Sequence, residues 1–163
     1  AKIAQLTKAF GMHVIGIRHD PLAGPNGADE IFGMEALTTL VPRADYVVLS
    51  CALTPQTEGL MNAQALAALK PSAFLVNVAR GRVVDEPALI QALQAQRFAG
   101  AALDVVVEEP MPANAPLWRL PHVLITPHSA GETRAYEDNV IDLLLENLER
   151  LWQGGTPLKN QIL

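Results

Sequence analysis

Phe74-Leu75-Val76-Asn77-Val78-Ala79-Arg80-Gly81-Arg82 is the stretch that decides the fold. Phe74, Leu75, Val76 and Val78 make a short apolar run containing β-branched residues, bounded by Pro71-Ser72 before it and Gly81 after it. That pattern predicts a strand over Phe74–Val78 buried on both faces, as in the interior of a parallel sheet. Arg80 stands just past its carboxyl end, where the chain turns toward a helical segment, Pro87–Gln96, with proline in the first turn. Open α/β sheets bind ligands outside the carboxyl ends of their strands. Arg80 is thus placed to meet a ligand, the plainer alternative being a surface arginine that caps a strand.

The same alternation extends in both directions. Ala1–Phe10 carries Ile3, Leu6 and Phe10 on one face, the spacing of a helix, with Gly11 as its stop. A short strand is expected at Val14–Ile17, then a Pro- and Gly-rich loop from His19 to Asn26, a helix at Met34–Leu40 and a strand at Tyr46–Cys51. A helix over Gln64–Leu69 ends before Pro71. Beyond the central stretch, Ala99–Val105 and Val123–Thr126 read as further strands, the last one halted by Pro127. A long helix from Glu132 to Trp152 has an apolar stripe through Val140, Leu143, Leu144, Leu148 and Leu151, and Gly154-Gly155 ends it. Strands alternating with helices at this interval imply βαβ units, hence a doubly wound parallel α/β sheet with right-handed crossovers.

Composition bounds the function classes. Half of the 163 residues are hydrophobic and only 18% are charged, which argues against disorder. A net charge of −5 speaks against a nucleic-acid or anionic-membrane surface. The single cysteine, Cys51, excludes an internal disulfide and fits a reducing, cytoplasmic compartment; it reads as a cleft-lining residue rather than a nucleophile. No apolar run approaches the roughly 20 residues that span a bilayer, and no signal peptide opens the sequence. No Cys/His cluster has metal-ligand spacing, so no metal is expected. Trp118 and Trp152 read as packing residues.

In a parallel sheet the strand ends share one edge, which would bring Arg18, Cys51, Arg80, Asp104 and His128 to a common rim. Histidine is the side chain best suited to proton transfer near neutral pH, and a carboxylate beside it would stabilise the imidazolium. Glu108 and Glu109, fixed by Pro110, are the candidates. Singly, each has a plain reading: His128 as a strand cap, Asp104 as a helix N-cap, Glu108-Glu109 as a solvated acidic loop. It is their convergence that points to a site.

Several of these stretches resemble the nucleotide-binding domain of the D-isomer-specific 2-hydroxyacid dehydrogenases, a group including D-lactate, phosphoglycerate, glyoxylate/hydroxypyruvate and formate dehydrogenases. They are Leu53-Thr54-Pro55-Gln56-Thr57-Glu58-Gly59-Leu60, Asn77-Val78-Ala79-Arg80-Gly81-Arg82-Val83-Val84-Asp85-Glu86, Gly100-Ala101-Ala102-Leu103-Asp104-Val105 with Glu109-Pro110, Thr126-Pro127-His128-Ser129-Ala130-Gly131, and Gly155-Thr156-Pro157-Leu158-Lys159-Asn160. The resemblance implies a Rossmann-like fold and hydride transfer between NAD or NADP and a small 2-hydroxy or 2-keto acid. Arg80 would bind the substrate carboxylate, which its planar fork suits better than lysine. It would also help polarise the keto group. His128 would be the proton donor and acceptor, with Glu109 rather than Glu108 as its partner. Asp104 would hold the nicotinamide end of the cofactor, and Cys51, Thr57, Val78, Ala79, Ala130 and Gly131 would line its cleft. The stretch around Val105–Leu120 and the last helix would contribute to a homodimer.

Two departures stand out. The family's G-x-G-x-x-G turn, which grips the pyrophosphate, is not in the sequence. The chain therefore reads as a fragment, inactive alone. Residues 1–131 would be a truncated dinucleotide-binding domain, and 132–163 a helix and tail packing toward a substrate domain. The strand before that turn would be central, between Val14–Ile17 and Phe74–Val78. The second departure is at Ile17-Arg18-His19-Asp20, where NAD-dependent relatives often place an aspartate at the position of Arg18. Arginine there can pair with a 2′-phosphate, so Arg18 leans slightly to NADP, the alternative being that Asp20 two residues on reaches the ribose of NAD; Arg18 and His19 are both cofactor-binding candidates. Two other readings keep the fold: a nucleotide-sensing, corepressor-like binding module, against which the intact Arg80, Glu109 and His128 argue, and a formate- or phosphite-type dehydrogenase.

Overall fold

A computed structural model describes residues 2–22, 24 and 27–161. Ala1 of the expected first helix, Ala23, Pro25 and Asn26 of the expected loop, and Ile162 and Leu163 of the tail lie outside the described residues. The chain forms two compact units, Ala1–Pro127 and His128–Leu163.

The first unit carries two parallel sheets with flanking helices, the Rossmann-like α/β arrangement expected. Helix α1 (Lys2–Ala9) leads through Gly11, at φ +76°, into β1 (Ile15–Ile17), which pairs in parallel with β2 (Glu30–Phe32). β2 was not legible beforehand: Glu30-Ile31-Phe32 is too short and too polar to display a period. Helix α2 (Leu37–Leu40), flanked by 3-10 turns, precedes β3 (Tyr46–Leu49). Helix α3 (Ala63–Ala67), β4 (Phe74–Asn77), helix α4 (Glu86–Gln94), β5 (Gly100–Leu103) and β6 (Val123–Ile125) follow. The second sheet has the order β3-β4-β5-β6, parallel throughout, with Leu49, Asn77, Leu103 and Ile125 at the carboxyl ends.

Two expectations about β4 need correction. It is not buried on both faces: Leu75 and Asn77 are sealed, but Phe74 is 40% exposed and Val76 half-buried. The exposed side continues through Tyr46, whose ring stacks on Phe74 with centroids 5.8 Å apart, and Leu124. A strand reads as uniformly apolar for either face, so the sequence cannot say which face finds a cover. Nor does β4 border an open position, since it pairs with β3 on one side and β5 on the other. The free edges of that sheet are β3 and β6.

The core lies on the other face, where Leu49, Leu75, Ala101 and Leu103 meet Leu66 of α3, Leu89 and Leu93 of α4, Met61 and Phe98. Both helices start on a side chain that accepts a backbone N–H: Asn62 from Ala65 and Asp85 from Ala88. The connections leaving β3 and β4 are joined at Met61 and Val84, with Met61 N–H donating to Val83 O at 3.1 Å and Gly59 N–H to Arg82 O at 2.9 Å.

In the second unit, α5 (Tyr136–Trp152) begins four residues later than the expected Glu132 and buries none of its residues. Its stripe, through Val140, Leu144 and Leu151, is exposed. The following tail folds back on it: Asn147 exchanges two hydrogen bonds with the backbone of Lys159, whose ammonium reaches Glu146 at 2.8 Å. Trp118 and Trp152 are exposed rather than packed.

Candidate active site

Past the carboxyl ends of β3 to β6 the ladder runs on by one residue. Val78 N–H donates to Leu49 O at 3.1 Å, Asp104 N–H to Asn77 O at 2.9 Å, and Thr126 N–H to Leu103 O at 3.0 Å. Val78, Asp104 and Thr126 therefore leave the sheet side by side, on strands that neighbour one another. Asp104 is only 6% exposed. A carboxylate so enclosed must be hydrogen-bonded, and the Thr126 hydroxyl donates to its Oδ1 at 2.5 Å, the length of a charge-assisted bond. The sequence shows Thr126 as a strand end and the first residue of the Thr126–Gly131 stretch, with nothing that assigns it a role.

Next to Asp104 the chain continues into the loop that carries Glu109, and the Arg80 turn packs directly against it. A Cβ added to Gly81 would come within 2.1 Å of the Val106 carbonyl carbon and oxygen and 2.5 Å of Val107 N. No side chain fits there, which explains a glycine at this position without any need for unusual φ. Two carboxylates hold the loop: Glu86 at the start of α4 accepts from Val107 N–H at 2.9 Å, and Glu109 accepts from Val106 N–H at 3.0 Å. Glu86 is not among the candidates the sequence names, its signals being an acidic residue next to Pro87 at a helix start and the last place in the 77–86 stretch. Arg80 is exposed, and its Nη1 donates to Ala79 O at 2.7 Å. Arg80, Asp104 and Glu109 thus come from adjoining segments of one sheet edge.

The remaining candidates fall elsewhere. Cys51 lies two residues past β3, half-buried, and burial pushes its thiol up from the ordinary value, which keeps it protonated and unreactive. Thr57 shapes the following loop, its hydroxyl accepting from Thr54 N–H and donating to Ala52 O at 2.7 Å. Arg18 and His19 follow β1, so they end the two-stranded sheet, not the one bearing Arg80; a single edge for all strand ends does not hold. Arg18 is half-buried and donates to Gly24 O at 3.1 Å. His128, Ala130 and Gly131 open the second unit. His128 has φ +54°, a left-handed backbone that non-glycine residues adopt rarely and mostly where the surroundings enforce it.

Among the described residues no cluster of three His, Cys, Asp or Glu could hold a metal ion, and no helix is long and apolar enough to cross a membrane.

Residues 1–130 match the family model described as D-isomer specific 2-hydroxyacid dehydrogenase, NAD binding domain. The chain belongs to this family. It is 40% identical to a D-isomer specific 2-hydroxyacid dehydrogenase of Xanthobacter autotrophicus Py2, solved in complex with NADPH and MES, at a TM-score of 0.87 over 99% of this chain and 65% of that one. A D-3-phosphoglycerate dehydrogenase of Methanocaldococcus jannaschii is 35% identical over 94% of the chain and 29% of its own length. A glyoxylate reductase of Korarchaeum cryptofilum is 33% identical over 96% of the chain and 47% of its own length. The chain thus spans about half or less of the curated relatives it matches.

The residues fit part of a nicotinamide dinucleotide. Asp104, enclosed and clamped by Thr126 at the sheet rim, is a carboxylate suited to amide N–H donors. The pyrophosphate has no glycine-rich turn in these residues.

Proposed function

We propose that the protein carrying these residues transfers hydride between NAD(P) and a small D-2-hydroxy acid, the keto acid being the other partner of the couple. The observation that supports the reading most is the close packing of the Arg80 turn on the loop bearing Glu109, beside the clamped Asp104. It gives a cation for a carboxylate and an enclosed carboxylate in one place. The cofactor, when bound, supplies the hydride acceptor or donor. Arg80 holds the substrate carboxylate in bidentate fashion and draws electron density from the 2-oxygen. His128 delivers the proton to that oxygen during reduction and takes it back during oxidation, with Glu109 orienting the ring and stabilising its charged form. Asp104 orients the nicotinamide end, and the Thr126 hydroxyl fixes the carboxylate that does so.

Arg18 directs the preference toward NADP. Its fork carries five donors, and the one given to Gly24 O leaves others to meet a phosphate. On this reading residues 1–163 do not turn over by themselves, because the pyrophosphate-binding turn is not among them; the working enzyme is a cytoplasmic homodimer. Substitution in the full-length protein tests the roles. His128→Ala should cut turnover by roughly 10²–10⁴ while cofactor still binds, and Arg80→Lys should raise KM for the keto acid strongly because the fork is lost. Near-normal activity in both would refute the assignment.

A further inference from the structure

Asn77 is the only polar side chain in the core that neither the cofactor nor the proposed chemistry touches, among the described residues. It is 1% exposed and ends β4, directly between Leu49 and Leu103 on the flanking strands. An amide in such surroundings is costly unless both of its ends are bonded. Both are. Its Oδ1 accepts from Ala79 N–H at 3.0 Å and its Nδ2 donates to Arg80 O at 3.1 Å. A single side chain therefore spans the turn in which the chain leaves the sheet, gripping one residue before Arg80 and Arg80 itself. The result is a backbone that keeps Ala79 and Gly81 buried while Arg80 between them is thrown outward. Gly81, held against Val106 and Val107, fixes the far side of the same turn.

We infer that Asn77 is a positioning residue for substrate binding: by bridging Ala79 N–H and Arg80 O it aims the Arg80 guanidinium at the carboxylate of the 2-keto acid. The requirement for a donor and an acceptor on one short side chain explains why neither leucine, which matches its neighbours, nor aspartate, which lacks the donor, would serve. The inference rests on the reading of Arg80 as the carboxylate ligand.

The test is oxalate binding to the full-length, cofactor-loaded protein, measured by calorimetry for wild type, Asn77→Asp, Arg80→Ala and the double variant. Asn77→Asp should weaken oxalate about tenfold, within the coupling range of residues in direct contact. Cofactor affinity should be unchanged, and the substitution should cost nothing further once Arg80 is alanine. A merely structural role would lower the melting temperature equally in both backgrounds and weaken oxalate by the same factor in each; that additivity overturns the inference alone. If wild type does not bind oxalate, or Arg80→Ala binds it as well as wild type, the functional reading falls and the inference with it. Should Asn77→Asp fail to fold, Asn77→Ser, which keeps a hydroxyl for the Ala79 N–H, takes its place in the same cycle. It should show a smaller loss that likewise vanishes with Arg80.

Discussion

Gly81→Ala should damage stability and turnover together, because the space a methyl group needs is filled by backbone. The 2.1 Å approach to the Val106 carbonyl falls 1.3 Å short of the 3.4 Å at which such atoms ordinarily touch. No rotamer change relieves it, since the obstructing atoms belong to the main chain of the 105–109 loop. Either that loop moves, carrying Glu109 and straining the bonds from Glu86 and Glu109 to its N–H groups, or the Arg80 turn moves and strains the Asn77 bridge. Overpacking of this kind costs about 1–3 kcal/mol, and each kcal/mol lowers Tm by roughly 2–4 °C in a domain of this size. A shift of about 1 Å in a substrate-positioning group costs around 10²-fold in rate. Scanning calorimetry and kcat/KM for keto-acid reduction, on the full-length protein, read the two effects. A Tm and a kcat/KM both unchanged within error would show that the two loops are not in contact and that the site is not preassembled.

Leu75→Ala removes a side chain with no exposed surface from the centre of the sheet and should cost about 2–5 kcal/mol by thermal or urea melting. Acid should loosen the β1–β2 corner. Asp29 is held below its ordinary value of 3.8 by Lys8 and the Val14 N–H, and Glu30 below 4.5 by His13 and Arg43. A depressed carboxylate stabilises the fold above its unfolded pKa, so that contribution is full above about pH 4.5 and is lost as pH falls through and below the ordinary values. The protection factor of the Val14 amide, its NMR exchange rate divided by the intrinsic rate at each pH, reports it; protection that stays constant as pH is lowered would contradict the assignment. Arg18→Ala should weaken NADP by roughly 10–100-fold, the worth of a charge-assisted bond, and leave NAD nearly unaffected in fluorescence titrations.

Much of the site was legible because strand ends obey a positional rule. Arg80 and Asp104 follow apolar runs whose parallel pairing dictates that they emerge on the same rim, and the register bears this out. What the sequence did not display depends on partners distant in the chain. The three residues of β2 acquire strand character only from pairing with β1, and Thr126 matters only because β6 lies next to β5. Glu86 and Val107 are remote in sequence, so no local pattern links them. Hydrophobic content predicted burial for Phe74 and packing for Trp118 and Trp152, yet apolarity states a preference for cover without naming what provides it.

Asn77 is the informative case, because its signal was present and pointed away from its role. The strand expected over Phe74–Val78 takes Asn77 into an apolar run, with no sign that its amide bonds its own backbone as Asn commonly does in loops. The structure shows that bonding, but 1% exposed and inside the ladder, with Asp104 N–H donating to the carbonyl of the same residue. One residue thus ties together the strand that carries Arg80 and the strand that carries Asp104, through its side chain on one and its main chain on the other. A loop residue would tolerate alanine at a cost of a few tenths of a kcal/mol, as exposed positions do. A buried bridge would not, since truncation leaves Ala79 N–H without its partner, at about 1–3 kcal/mol, while Arg80 O keeps the bond it accepts from Val83 N–H at 3.1 Å. The two accounts of the same residue therefore differ by about 1–3 kcal/mol in the melting of Asn77→Ala. Stability near wild type would show that the Asn77 bridge carries little weight and remove the physical reason for Arg80 to stand where it does.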